Sequence, residues 1–242
     1  LGFVSCEQPG KKNTPSPNER MLNATLYQQT SPEVDALSYQ AYFIARVMLQ
    51  SELNRGEMAM PRAIITDIDE TVLDNSPYQA QCILEGFSYP EKWDEWCKQV
   101  KARPLPGSQQ FLNYAAAQGV EIFYVTNRKE HLKEATLLNL KKHAFPNADE
   151  EHLLMRTTTS NKEPRRKMIA ENYRIVMLLG DNIEDFTNVF EKRGIAEKKE
   201  LAEKLKESFG RRFIVFPNPM YGSWESAVYD HNYDTTKAAR AS

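Results

Sequence analysis

The sequence predicts an α/β fold, with a mostly parallel sheet that carries helices on both faces. From residue 62 onward, short apolar segments of strand length alternate with longer segments of helical character. Apolar runs of this kind are typical of strands that are buried on both faces. Because a helical segment separates each strand from the next, the connections favour a parallel arrangement.

Five segments have the character of strands, and the intervals between them have the character of helices. The predicted strands are residues 62–67, 120–126, 153–155, 174–181 and 212–216. The predicted helices are residues 19–31, 32–56, 107–118, 129–143 and 163–172, with further helix within 182–208. Pro32 suits a first helical turn behind the cap residue Ser31, and Gly119 suits a helix end.

The chain is expected to form one domain with a small accessory lobe. Its 242 residues can bury a full hydrophobic core, and residues 1–18 have the composition of a flexible tether. Residues 19–242 would form the domain, with a mostly helical cap built from about residues 19–60 and 75–106. The second of these segments is rich in aromatic residues and would overhang the carboxyl edge of the sheet.

The charge balance argues against a nucleic-acid partner. Lys and Arg number 31 against 33 Asp and Glu, so the net charge is −2. A broad basic surface, which is the usual mark of nucleic-acid binding, is therefore not expected. A phosphate group on a ligand would have to be met by a few local cations.

The N-terminal sequence resembles the end of a bacterial lipoprotein signal peptide. Apolar residues 1–4 precede Ser5 and Cys6, and a stretch rich in Pro, Ser, Lys and Asn follows. The resemblance implies a lipid anchor on Cys6 and a place in the bacterial cell envelope, at the outer membrane. The alternative is an unmodified polar tail. Cys82 and Cys97 are either a disulfide pair or two buried thiols.

The first chemical motif directly follows the first predicted strand. It places Asp67 and Asp69 two residues apart in a turn, where both carboxylates can reach a cleft. One carboxylate can attack phosphorus while the other handles the leaving-group proton, and such a pair also suits Mg²⁺. A solvated acidic turn is the alternative, and the apolar strand that ends at this motif argues against it.

A second acidic motif follows the fourth predicted strand. Asp181 and Asp185 lie four residues apart at a helix start, where both can face a cation, and Gly180 permits a close backbone approach. Asp and Asn are also ordinary helix caps, so this motif taken alone does not separate the two interpretations. The first motif favours a metal site shared between them.

Two further segments supply candidate phosphate contacts. Thr126 and Asn127 are placed at the end of the second strand, where a hydroxyl and backbone amides can form an anion pocket. Lys162 would offset negative charge in the same cleft, although Arg166 or Lys167 could be the working cation instead. The alternatives are an ordinary helix cap and a solvated basic helix start.

Together these motifs resemble those of the haloacid dehalogenase (HAD) phosphatase superfamily, in that family's order. Residues 67–78 (DIDETVLDNSPY), 179–186 (LGDNIEDF) and 216–225 (FPNPMYGSWE) are similar to the class C bacterial acid phosphatases, the lipoprotein-e-type 5′-nucleotidases. The resemblance covers roughly residues 19–234. It implies a HAD-like Rossmannoid sheet, a small cap, Mg²⁺-dependent hydrolysis of phosphomonoesters, and a homodimer.

The resemblance also implies a role for each acidic residue. Asp67 would attack phosphorus to form an aspartyl-phosphate, and Asp69 would protonate the leaving group and then activate water. Mg²⁺ would be held by the Asp67 side chain, the Asp69 backbone carbonyl and Asp181. Asp185 would orient a metal-bound water.

The substrate contacts follow from the same resemblance. Thr126, Asn127 and Lys162 would hold the phosphoryl oxygens. Phe87 and Tyr221 would sandwich a nucleobase, which makes nucleoside 5′-monophosphates, including nicotinamide mononucleotide, the leading substrates. Both rings could instead be core aromatics.

Other functions remain open from the sequence. HAD motifs also serve phosphoryl mutases and P-type pumps, and a phosphatase of this kind can lack any preference for nucleotides. A non-catalytic surface binding lipoprotein is the alternative from another class. It has no need for all four of Asp67, Asp69, Asp181 and Asp185, which favours the enzyme.

Overall fold

The computed structural model describes residues 19–56 and 59–231, so the predicted tether and Cys6 lie outside the described residues. The strands are β1 (Arg62–Thr66), β2 (Leu73–Asp74), β3 (Arg103–Pro104), β4 (Glu121–Lys129), β5 (Leu153–Arg156), β6 (Arg174–Gly180) and β7 (Phe213–Val215). The α-helices are α1 (Leu22–Thr30), α2 (Pro32–Leu53), α3 (Ser76–Glu85), α4 (Trp93–Lys98), α5 (Ser108–Ala117), α6 (Lys133–Lys142), α7 (Glu163–Ala170), α8 (Ile195–Lys204) and α9 (Ser223–Val228). Within these ranges, no helix combines the length and the apolar character that a membrane span requires.

The described strands form a five-stranded parallel sheet in the order β5-β4-β1-β6-β7. Ile64 of β1 lies opposite Ile122 of β4 on one side and Met177 of β6 on the other. The chain fills one half of the sheet with β4 and β5 and then returns to the other half with β6 and β7. The strand order therefore reverses beside β1, which is where ligands bind in open α/β sheets.

Helices cover both faces of this sheet, as the sequence predicts. Side chains of β1 alternate between two hydrophobic cores: Ile64 belongs to one, whereas Ala63 and Ile65 belong to the other. The first core includes Leu49 of α2, and the second includes Ile169 of α7. Burial on both faces explains why β1 reads as an unbroken apolar run.

Two predicted boundaries differ from the structure. Strand β4 continues through residues 126–129, beyond the predicted end, and a 3₁₀ turn at Glu130–Leu132 precedes α6. The interval 182–208 is less helical than predicted, because 3₁₀ turns occupy Ile183–Asp185 and Asn188–Phe190 before α8 begins. The first of these turns has a reciprocal cap at its N-terminal end, since the Asn182 side chain accepts from the Glu184 amide and the Asp185 side chain accepts from the Asn182 amide.

Helices α3 and α4 occupy the second predicted cap segment, between the antiparallel strands β2 and β3. Helix α1 packs against α3, whereas α2 packs against α5 and the sheet strands β6 and β7. The division into domain and cap stays a prediction. Cys82 and Cys97 are both buried and unpaired with each other, which answers the question that the sequence left open.

Candidate active site

The candidate site lies where the carboxyl ends of β1, β4 and β6 meet. Asp67 follows β1 directly, and its amide donates to the Leu179 carbonyl of β6 at 2.9 Å. This bond ties the end of β1 to the end of β6, which is followed by Asp181. A cleft of about 480 Å³ opens over these residues and is lined by Asp67, Asp69, Asp181 and Asp185 among others.

Three carboxylates converge at the base of this cleft. Oxygen atoms of Asp67, Asp181 and Asp185 all lie within 4.8 Å of one another. Asp185 is held by its bond from the Asn182 amide at 3.0 Å, and Asp181 accepts from Nδ2 of Asn218 at 2.8 Å. The two acidic motifs predicted from the sequence are therefore joined in one cluster.

Gly180 makes the approach of Asp185 sterically feasible. A Cβ atom built on Gly180 would lie 2.5 Å from the Cβ atom of Asp185, far inside van der Waals contact. The sequence predicts a close approach at Gly180, and in the structure the group that approaches its backbone is the Asp185 side chain.

Lys162 is the cation that enters the cluster. Its Nζ atom contacts Asp67 and lies 2.6 Å from Oδ1 of Asp185, and its side chain is 6% exposed. Arg166 donates instead to the Asp185 backbone carbonyl at 2.7 Å. The Lys167 side chain is 73% exposed and faces Glu163. Of the three basic residues that the sequence left open, Lys162 is the one between the carboxylates.

Burial and mutual repulsion disfavour the charged forms of these carboxylates. Burial, together with the neighbouring Asp185 and Asp69, raises the pKa of Asp67 to about 7, although Lys162 opposes the rise. The pKa of Asp181 is raised well above its usual range by burial and by Asp185 and Asp67. When all three carboxylates are ionised, the cluster with its one ammonium carries two negative charges, so this oxygen-rich site fits a divalent cation such as Mg²⁺.

Asp69 stands apart from that cluster and is paired with Arg128. Its Oδ1 accepts from Nη2 of Arg128 at 2.7 Å and from Nδ2 of Asn75 at 2.8 Å. The neighbouring Asp69 raises the pKa of Arg128 even though burial opposes that rise. The sequence analysis did not single out Arg128 or Asn75, although Asn75 lies within the motif of residues 67–78 and Arg128 directly follows Asn127.

The predicted phosphate contacts are placed differently from expectation. Thr126 is fully buried within β4, and its Oγ1 accepts from the Arg128 amide at 3.1 Å. Asn127 lines the cleft and accepts from Arg165 at 2.8 Å. Thr126 and Asn127 do not lie at a helix start, because β4 continues past them and the next turn begins at Glu130; their contact with a phosphate group stays a prediction.

Arg165 is a further basic residue at this edge that the sequence did not indicate. Its Nη1 donates to the Thr126 carbonyl at 2.5 Å and its Nη2 to Asn127. Burial lowers the pKa of Arg165 to about 10, although Asp67 and Asp185 oppose that fall. Its guanidinium therefore fixes the strand that carries the predicted phosphate contacts.

The outer wall of the cleft is aromatic, but its members differ from the prediction. Phe87 is 5% exposed and packs in the core against Tyr78, with ring centroids 6.0 Å apart. Tyr89 is 55% exposed and lines the cleft, together with Trp93 and the predicted Tyr221. The structure thus places Tyr89, two residues further along, on the wall where Phe87 was expected.

The sequence of this chain matches a known family over most of its length. The family described as HAD superfamily, subfamily IIIB (Acid phosphatase) matches residues 9–224. The chain belongs to this acid phosphatase family. The resemblance drawn from the three motifs is thereby confirmed.

Two solved structures share the fold of this HAD acid phosphatase family member. One is the class C acid phosphatase from Bacillus anthracis with tungstate bound, and the other is a second structure of the class C acid phosphatase from that organism. Each is 40% identical to the chain with a TM-score of 0.90, and each match covers 93% of this chain. The matches cover 94% and 95% of the two bacterial chains, respectively.

A plant protein is also similar to this chain. Acid phosphatase 1 of Solanum lycopersicum is 30% identical over 167 residues, which is 65% of this chain. The chain spans 57% of the length of that relative.

Proposed function

We propose that this protein is a Mg²⁺-dependent phosphomonoesterase that acts through an aspartyl-phosphate on Asp67. The observation that carries the proposal is the cluster of Asp67, Asp181 and Asp185, with Lys162 in contact with two of them. The cluster lies at the base of an open cleft where the strand order reverses. Membership of the acid phosphatase family supports the same reaction.

In the first step, Asp67 attacks the phosphorus atom of a bound ester. The bond between phosphorus and the leaving oxygen breaks as the bond to the Asp67 carboxylate forms. Asp69 gives its proton to the leaving oxygen, so the product leaves as a neutral alcohol. Both carboxylates line the cleft, and Asp69 lies outside the cluster of three, which leaves its side chain available for proton transfer.

In the second step, water hydrolyses the aspartyl-phosphate. Asp69, now a carboxylate, takes a proton from the water whose oxygen attacks phosphorus. The phosphorus–Asp67 bond breaks, which releases inorganic phosphate and restores both residues to their starting forms. One residue thus serves as acid and then as base.

The charge of the transferring phosphoryl group has to be balanced in this cleft. The buried ammonium of Lys162 supplies one positive charge beside Asp67, and Asn127 offers a polar side chain to the phosphoryl oxygens. The Asp67 and Asp181 side chains would hold Mg²⁺ with the backbone carbonyl of Asp69, and Asp185 would orient its water. When bound, the cation supplies charge neutralisation and orients the phosphate.

Nucleoside 5′-monophosphates, including nicotinamide mononucleotide, are the leading substrates in this proposal. Tyr89, Trp93 and Tyr221 line the cleft that leads to Asp67, and an exposed ring such as that of Tyr89 can stack on a planar base. The tungstate named in the bacterial relative is an oxyanion that can occupy a phosphate site. A phosphatase without nucleotide preference would use the same chemistry but would gain nothing from these rings.

The first experiment is phosphate release from a panel of 5′-, 3′- and sugar phosphates, with Mg²⁺ or with EDTA. Wild type is compared with Asp67→Asn, and Asp35→Asn on the exposed side of α2 is the matched control. Cation-dependent turnover that favours 5′-nucleotides and disappears only in Asp67→Asn supports the proposal. Equal turnover of every ester would remove the nucleotide preference and keep the mechanism.

A complete lack of wild-type turnover across a broad pH range would overturn the enzyme proposal. In that case a surface binding protein becomes the better interpretation. Binding of 5′-nucleotides to the wild type, measured by calorimetry without any product, would then be the expected result.

The envelope location is a separate part of the proposal, and it concerns Cys6. Lipidation there would hold the enzyme at the outer membrane through the part of the tether that follows Cys6, up to residue 18. Incorporation of labelled palmitate and recovery in the membrane fraction should both be lost in Cys6→Ser and kept in Cys82→Ser. Sedimentation of the purified protein tests the family expectation of a homodimer.

A further inference from the structure

The carboxylate of Asp69 is held asymmetrically. Its Oδ1 receives three hydrogen bonds, from Nη2 of Arg128 at 2.7 Å, Nε of Arg128 at 3.0 Å and Nδ2 of Asn75 at 2.8 Å. Its Oδ2 receives only the longer contact from Nε of Arg128, at 3.3 Å, among the described residues. One oxygen is therefore saturated with donors, and the other retains free accepting capacity.

Arg128 is itself immobilised. Its side chain is 1% exposed, and Nη1 donates to Oγ1 of Thr136 at 3.3 Å. The guanidinium carbon lies 5.5 Å from the centroid of the Trp93 ring. A planar fork fixed at several points holds a carboxylate in one orientation, which a flexible ammonium cannot do.

Asn75 is oriented by its neighbours in the same way. Trp96 of α4 donates to its Oδ1 at 2.8 Å, so its Nδ2 must face Asp69. Its backbone amide donates to Glu70 at 2.7 Å. A chain of hydrogen bonds thus runs from α4 through Asn75 to the saturated oxygen of Asp69.

We infer that Arg128 and Asn75 are positioning residues that anchor Oδ1 of Asp69 and thereby make Oδ2 the oxygen that exchanges the proton with the leaving group and water. The inference rests on the proposed function of Asp69. Both residues are bonded to the Asp69 carboxylate, and it is through this carboxylate that they would act on the proton transfer. Rotation of that carboxylate would carry the proton away from the leaving oxygen, and positioned proton transfer is sensitive to such changes.

A positioned proton matters only when the leaving group needs it. An alkoxide is strongly basic and must be protonated as its bond to phosphorus breaks, whereas p-nitrophenolate leaves as a stable anion. Loss of positioning should therefore slow the first step for alkyl esters and spare it for p-nitrophenyl phosphate. The second step needs Asp69 as a base with either ester and should slow in both cases.

The experiment measures kcat/KM and pre-steady-state bursts for a 5′-nucleotide and for p-nitrophenyl phosphate, with Mg²⁺ present. Arg128→Gln is the main variant. Arg62→Gln is the matched control, because Arg62 bonds backbone carbonyls of residues 52 and 56 near the opposite end of the sheet. Trp96→Phe removes the indole donor to Oδ1 of Asn75 and keeps an aromatic ring in the core.

For Arg128→Gln, kcat/KM for the nucleotide should fall about 100-fold, the scale of general acid catalysis, and about threefold or less for p-nitrophenyl phosphate. A burst of nitrophenolate should appear, since the aspartyl-phosphate forms normally and is hydrolysed slowly. In Trp96→Phe, kcat/KM should fall about threefold for the nucleotide and less for p-nitrophenyl phosphate. In Arg62→Gln, neither value should fall.

Equal losses for both esters in Arg128→Gln would overturn the inference, because Arg128 would then act on phosphate binding or on the fold. If that variant does not fold, Trp96→Phe provides the test. Equal losses of kcat/KM for the two esters in Trp96→Phe would then overturn the inference. A wild type that hydrolyses neither ester overturns the proposed function as well, so the two failures are distinguishable.

Discussion

Lys162 connects two carboxylates that come from different strands. Its ammonium contacts Asp67 after β1 and lies 2.6 Å from Asp185 in the turn after β6. Lys162 itself precedes α7, so three separate segments of the chain meet at one charge. Because burial strengthens electrostatic interactions, this contact affects both stability and the binding of a phosphoryl group.

Replacement of Lys162 by Met should therefore damage catalysis and binding together. The expected loss in kcat/KM is about 100- to 1000-fold, the scale of removing one preorganised donor to a transferring group. Lys167→Met is the matched control, because that side chain is exposed and 4.0 Å from Glu163. Steady-state kinetics and tungstate inhibition would measure both effects. Equal behaviour of the two variants would contradict the assignment of Lys162.

The raised pKa of Asp67 makes the stability of the cation-free protein depend on pH. The folded protein retains this proton up to pH about 7, whereas the usual aspartate value is 3.8. Between these values the folded state binds more protons than the unfolded state, so stability falls as pH rises. A pKa rise of this size corresponds to on the order of 4 kcal/mol for full deprotonation.

Thermal unfolding in EDTA measures this effect. The melting temperature should fall between pH 4 and pH 7, in the window set by the two pKa values. In Asp67→Asn the fall should be shallower, since one of the titrating carboxylates is gone. Mg²⁺ should raise the melting temperature more at pH 7.5 than at pH 5, because the cation binds ionised carboxylates. A pH-independent effect of Mg²⁺ would contradict this linkage.

Gly180→Ala should disrupt the acidic cluster by a purely steric route. The new methyl group would lie 2.5 Å from Cβ of Asp185, so the Asp185 turn has to move. We expect a loss of about 1–3 kcal/mol in stability, as for other overpacked sites, with weaker Mg²⁺ binding by calorimetry. Gly194→Ala is the matched control, since its nearest neighbour would be 4.0 Å away. Full Mg²⁺ affinity in Gly180→Ala would show that Asp185 is not needed at the cluster.

The residues that the sequence predicted best lie directly behind buried strands. Asp67 and Asp181 follow apolar runs whose length and composition identify them as strands, and parallel strands bring their carboxyl ends together. That one rule places four aspartates at one cleft without knowledge of the sheet order. It also brings the end of β4 to this cleft, where Asn127 lines the wall, but it does not show that residues 126–129 extend the strand.

The contacts that the sequence could not predict depend on side chains from distant segments. Arg128 pairs with Asp69 across 59 residues, and Asn218 bonds Asp181 across 37. Nothing in the local pattern of an arginine or asparagine specifies such a partner. The sequence left Phe87 open between the cleft wall and the core for a related reason: two aromatic residues in one loop, Phe87 and Tyr89, differ in burial because of the surrounding packing.

Tyr89 should contribute to the recognition of planar leaving groups. Its ring is 55% exposed, lines the cleft and lies 5.9 Å from the Trp93 ring, so a base can stack there. Tyr89→Ala should raise KM for nucleoside 5′-monophosphates about 10-fold, the scale of one stacking contact, with little change for glycerol phosphate.

The matched control for Tyr89→Ala is Phe87→Leu, which keeps an apolar side chain in the core. Because Phe87 is buried against Tyr78, this change should lower the melting temperature and leave the ratio of KM values for the two esters unchanged. The opposite pattern, with the KM ratio altered only in Phe87→Leu, would restore Phe87 as the stacking residue. A changed ratio of KM values in both variants would indicate that the loop as a whole shapes the cleft.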